Sequence, residues 1–83
     1  MKKFTNIEKN NGELAVRDMS AKAIDFYSNT DLISVIEYSE YDDDTDSRIT
    51  KYAINDEGRI IDNLTFEQAE KYLEDMADAY AEY

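Results

Sequence analysis

The chain has 83 residues with 9 basic and 20 acidic side chains, a net charge of −11, and neither cysteine nor histidine. Disulfides, thiolate zinc sites, imidazole ligation and Cys-His or Ser-His nucleophilic chemistry are therefore excluded, and any acid–base catalysis would fall to Asp, Glu, Lys or Tyr. One small domain with a barely sufficient core is expected, and the reading is that of a non-enzyme without cofactor or metal.

No apolar run reaches the roughly 18–20 residues that span a bilayer, and the start, Met1-Lys2-Lys3-Phe4-Thr5-Asn6-Ile7, lacks the apolar core of a signal peptide. A soluble, cytoplasmic protein is expected. Residues 1–12 read as a flexible tail or an edge strand, with Asn10-Asn11-Gly12 as a turn. Val16, Met19, Ala23 and Phe26 then fit one helical face. Alternatively, Ser20 caps a shorter helix that starts at Ala21.

Leu32–Tyr41 and Arg48–Ile54 are rich in β-branched and aromatic residues and predict strands. Asn55-Asp56-Glu57-Gly58 predicts a turn, with Gly58 supplying positive φ, and Arg59–Asp62 a third strand. Thr65-Phe66-Glu67-Gln68 is a capping box. The apolar series Phe66, Ala69, Leu73, Met76 and Tyr80 then predicts a helix running to the chain end. The expected fold is α+β in the order α-β-β-β-α, a three-stranded antiparallel meander with both helices on one face.

Charge is unevenly spread. Residues 1–36 are neutral, with five bases and five acids, whereas residues from 37 onward hold fifteen acids and four bases. Such a field repels nucleic acid and anionic membrane and attracts basic partners. Asp42, Asp43, Asp44 and Asp46 crowd the first hairpin loop. Asp42-x-Asp44-x-Asp46 has the spacing of the first three ligands of an EF-hand, but the sixth position is Ser47, the twelfth is Ala53, and strands flank it. A solvated turn would need only one or two of these carboxylates, and their mutual repulsion costs stability, so the excess points to a partner.

Glu67, Glu70, Glu74 and Asp78 extend the acidic surface as a row on the last helix, at steps of roughly 4.5–6 Å. The strand acids Glu37 and Glu40 add to it. Tyr38, Tyr41, Tyr52, Tyr72, Tyr80 and Tyr83 are interleaved. Some of them are core, and those at the rim, Tyr41 first, can stack on arginine in an interface.

A small, cysteine-free, strongly acidic chain with a meander and helices resembles the DNA-mimic inhibitors of phages and mobile elements. The closest parallel is with anti-CRISPR proteins, and uracil-DNA glycosylase inhibitors belong to the wider class. The resemblance spans the whole chain in size, charge and element order. It implies carboxylates seated in the basic groove of a DNA-binding defence protein. In a Cas nuclease, Asp42, Asp43, Asp44 and Asp46 would meet the arginines that read the PAM, and the helix row would lie along lysines that contact the backbone. The protein itself would be a monomer or weak dimer that touches no nucleic acid. The alternative is an acidic regulatory or antitoxin/immunity-type module whose basic partner is not a DNA groove.

Overall fold

The computed structural model describes residues 7–81. Its elements are α1 (Ile7–Val16), α2 (Ala21–Ser28), β1 (Ile33–Asp42), β2 (Ser47–Asp56), β3 (Arg59–Leu64) and α3 (Phe66–Ala81). The α+β class and the meander-then-helix order are as expected. The N-terminal third differs, because it holds two helices rather than one.

Asn10-Asn11-Gly12 is not a turn but the middle of α1. Asparagine and glycine are poor helix formers, so local propensity pointed the wrong way and tertiary packing decides. Tyr27 of α2 lies against Gly12 so closely that a Cβ there would overlap the phenol ring, while Ala15 and Val16 drop into the core. The tail-or-strand expectation for residues 1–12 is thus replaced by helix from Ile7; residues 1–6 lie outside the described residues.

Ser20 opens α2 as its N-cap. Its backbone is extended (φ −64, ψ 156), and its Oγ accepts the Ala23 amide at 3.2 Å. The shorter-helix alternative is the one observed. Asn29 closes α2, its amide reaching the Asp25 and Phe26 carbonyls and its side chain donating to Asp25 O at 2.8 Å.

The sheet has the order β1-β2-β3 and is antiparallel throughout. Register runs from Ile33↔Asp56 to Asp42↔Ser47. Glu57 and Gly58 form a two-residue turn with φ of 54° and 97°, the positive pair that a type I′ hairpin demands. Between β2 and β3 the register slips from Ile54↔Ile61 to Tyr52↔Leu64. The slip is a bulge at Asn63 (φ 62°), whose amide donates to Tyr38 Oη at 3.0 Å.

One sheet face forms the core. Ile33, Val35, Tyr52 and Ile54 pack with Ala15, Val16, Met19, Ala23, Tyr27, Ala69 and Leu73. Full burial of Ile33, Val35, Ile54 and Leu73 contributes about 1.5–3 kcal/mol each. The α1 helix lies along β1 and α3 along β2 and β3, whereas α2 rests chiefly on α3 and not on the sheet. The predicted capping box is present: Gln68 N donates to Thr65 Oγ1 at 3.1 Å and Thr65 N to Gln68 Oε1 at 2.9 Å.

The core occupies only half the length of the first hairpin. Burial in β1 ends at Val35 and in β2 begins at Tyr52. The distal half leaves the helices behind, and the molecule is elongated, 46 × 23 × 18 Å.

Candidate acidic interface

The aspartate loop sits at the tip of this projecting hairpin, between Asp42 and Ser47. Its four carboxylates do different work. Asp42 accepts the Asp44 amide and the Thr45 hydroxyl, each at 3.1 Å, an Asx-type turn that local sequence dictates. Asp46 takes positive φ (53°) and accepts the Tyr41 hydroxyl. Asp42 and Asp46 therefore hold the loop's shape. Asp43 and Asp44 are exposed, and their side chains have no hydrogen-bond or ion-pair partner among the described residues. The sequence, counting four equivalent acids, could not separate the two pairs.

Along the hairpin, Tyr41 is 52% exposed and faces Arg48 across the strands; Arg48 Nε donates to Ser39 Oγ at 3.3 Å. Glu40 pairs with Lys51 at 2.8 Å, and the hydrogen bond to Glu40 holds the Lys51 ammonium above its usual pKa. Glu37 accepts the Tyr52 hydroxyl at 2.7 Å. Burial, then that hydrogen bond to a carboxylate, pushes Tyr52 up to about 12. The Glu37 main-chain carbonyl accepts from Asn11 Nδ2 at 2.8 Å.

The α3 row is arranged differently from a free acidic face. Glu70 Oε2 accepts the Ser20 amide at 2.7 Å and Glu74 Oε2 the Ser20 hydroxyl at 2.6 Å. Two carboxylates thus sit on the N-terminus of α2, where unsatisfied amides and the helix dipole favour negative charge. One turn further on, Asp78 pairs with Lys22. That hydrogen bond is the main cause of the raised Lys22 pKa. Three members of the row, Glu70, Glu74 and Asp78, belong to the α2–α3 seam, and only Glu67 points away into solvent without such a partner. Ser20 as a cap was legible in the sequence. Its anchoring by residues 50 and 54 positions later carried no local signal.

The tyrosines divide as their positions in the fold require. Tyr52 is core, edge-on to Phe66 with centroids 5.7 Å apart. Tyr72 is half-buried and donates to Asp56 Oδ2 at 2.5 Å; burial, then that bond, pushes it up to about 12. Tyr80 packs on Phe26 at 5.3 Å. Tyr83 lies outside the described residues. Burial also raises Tyr27, with Glu13 adding to the shift.

The site the structure brings together is therefore the hairpin tip and shaft: Asp43 and Asp44 free, Tyr41 exposed beside them, Asp42 and Asp46 as the frame, Glu40 and Glu37 behind. Glu67 is remote, beyond β3. Among the described residues no three carboxylates converge in a manner that could hold a metal ion, and no helix is long and apolar enough to cross a membrane. No protein-family model, curated protein or solved structure matches the chain.

Proposed function

We propose that the protein is an inhibitor that works in the cytoplasm of a bacterial cell by occupying the basic nucleic-acid groove of a DNA-binding defence protein, with CRISPR-Cas effectors as the first class to test. One observation carries the reading: a projecting hairpin ends in two unpartnered carboxylates, Asp43 and Asp44, on a chain of net charge −11. Uncompensated charge at an extended tip reaches into a groove that a flat face could not enter. Carboxylates there would pair with arginines that otherwise read base edges or phosphates. Tyr41 supplies a rigid aromatic surface next to them.

The test is competition. Purified guide-loaded Cas effectors are mixed with the protein and with labelled cognate duplex. Under mimicry, duplex and protein exclude one another, and the exclusion weakens with salt. An effector that binds both at once, or none of a panel that binds the protein at low salt, overturns the reading.

A second reading, an acidic regulatory or immunity-type module with a basic partner outside any DNA groove, is favoured by the α2–α3 seam. With Glu70, Glu74 and Asp78 engaged internally, the acids left uncommitted are Asp43 and Asp44 at the tip and the remote Glu67, which do not make a phosphate-like track.

A further inference from the structure

Among the described residues, no helix packs on the face of the sheet opposite the core. An antiparallel sheet wetted on one side ordinarily alternates apolar inward with polar outward, and this sheet departs from that rule. Residues pointing away from the core include Ile36 and Tyr38 on β1, Ile49 and Ala53 on β2, and Ile60 on β3, as the register requires. Ile49 is 39% and Ile60 44% exposed. Ala53 is buried yet stands apart from the core cluster. Its cover comes from Tyr38, which crosses β2 to reach the Asn63 amide on β3. Ile36, Tyr38, Ala53 and Ile60 thus make an apolar patch across three strands, while Ile49 lies on its tip side beyond Lys51, which points out of the same face and pairs with Glu40. Glu40 and Asp42 border it towards the hairpin tip, and the exposed Asp62 borders it on β3.

We infer that this open face is a docking surface for a partner protein whose contact region is aliphatic at its centre and cationic at its rim. The inference rests on the reading that the acidic hairpin binds a basic protein, and it names the surface that gives that attraction specificity. Charge complementarity selects the occupant. A basic rim meets Asp42 and Asp62, beside the Glu40–Lys51 pair, while aliphatic side chains cover Ile36, Ile49 and Ile60. A second copy of this chain would set one net charge of −11 against another and oppose identical acidic rims. An apolar centre with a polar rim is the usual anatomy of such a contact, and loss of exposed isoleucine area would be the driving term.

The experiment uses two short synthetic peptides of equal positive charge, one alternating leucine with lysine and one alternating serine with lysine, titrated into the isotopically labelled full chain. The leucine–lysine peptide is expected to shift the Ile36, Ile49 and Ile60 methyl signals, and the serine–lysine peptide only the amides of the aspartate loop. The Ile49→Thr/Ile60→Thr variant, in which β-branched residues keep the strands, should lose roughly tenfold in affinity for the first peptide alone. If both peptides perturb only the loop, the docking surface is refuted and the acidic reading survives. If neither binds, the acidic reading falls and takes the surface with it. Isoleucine shifts that follow protein concentration without peptide assign the face to self-association and overturn the proposal.

Discussion

Glu74 on α3 accepts the hydroxyl of Ser20 at 2.6 Å, across 54 residues of chain, while that same hydroxyl accepts the Ala23 amide. One oxygen thus caps α2 and joins it to α3. Ser20→Ala removes both contacts and should cost about 1–2 kcal/mol. Glu74→Gln keeps an acceptor and should cost distinctly less. Urea denaturation of the two variants checks the order, and equal losses would mean that the negative charge, not the hydroxyl, holds the seam.

The same arrangement decides how the acidic surface is to be tested. Asp43→Asn/Asp44→Asn removes two unpartnered charges, relieves repulsion in the loop, and should leave the melting temperature unchanged or higher. Asp42→Ala deletes the acceptor for the Asp44 amide and Thr45 hydroxyl and should destabilise the hairpin by about 1 kcal/mol. Loss of partner binding in the first variant with its stability intact assigns recognition to the tip. Binding retained there removes the tip from the interface.

Gly12→Ala inverts the usual propensity rule. In an exposed helix the change would stabilise by about 1 kcal/mol. Here the added methyl overlaps the Tyr27 phenol, and a net loss of about 1–3 kcal/mol is expected. Tyr27→Phe removes the nearest atom and leaves the ring carbon behind it, so a double-mutant cycle should show partial rescue. Additive losses would place the strain elsewhere.

Glu57 occupies left-handed backbone (φ 54°) at the first position of a type I′ turn. Glu57→Asn supplies the residue this position prefers and should stabilise by about 1 kcal/mol. A thermal melt reads it directly, and an unchanged midpoint would show that the turn relaxes at no cost.

Alkaline pH offers a separate check. Tyr52 and Tyr72 are both pushed up to about 12, from an ordinary value of 10.0. The folded state therefore holds these protons more tightly than the unfolded chain does. The stability they contribute is complete below pH 10 and is lost as pH rises from 10 towards 12. Ultraviolet titration of tyrosinate should show Tyr52 and Tyr72 among the late-ionising groups, their titration coinciding with unfolding. Replacing each with Phe should flatten that part of the stability profile.

The elements legible in the sequence are those whose signals are local. The capping box at Thr65 and Gln68, the apolar stripe of α3, the β-branched runs of β1 and β2 and the Gly58 turn each depend on neighbours within a few residues. The α1 helix was illegible because Gly12 is explained by Tyr27, fifteen positions on. The spacing of Glu67, Glu70, Glu74 and Asp78 was legible, but the engagement of the last three with Ser20 and Lys22 is a tertiary fact. For the loop, composition identified the carboxylates, while the division between Asp42 with Asp46 and Asp43 with Asp44 is set by turn geometry.

The seating of Tyr27 on Gly12 also bears on solubility. The α1 helix contains two asparagines and a glycine and draws little stability from its own backbone. It nonetheless lies along β1, an edge strand, with Asn11 occupying the Glu37 carbonyl. Local opening of α1 would uncover a strand edge able to pair with another chain. Amide hydrogen exchange in α1 should therefore outpace exchange in β2. Aggregation on storage should follow the looseness of this helix more closely than the global stability of the sheet it borders.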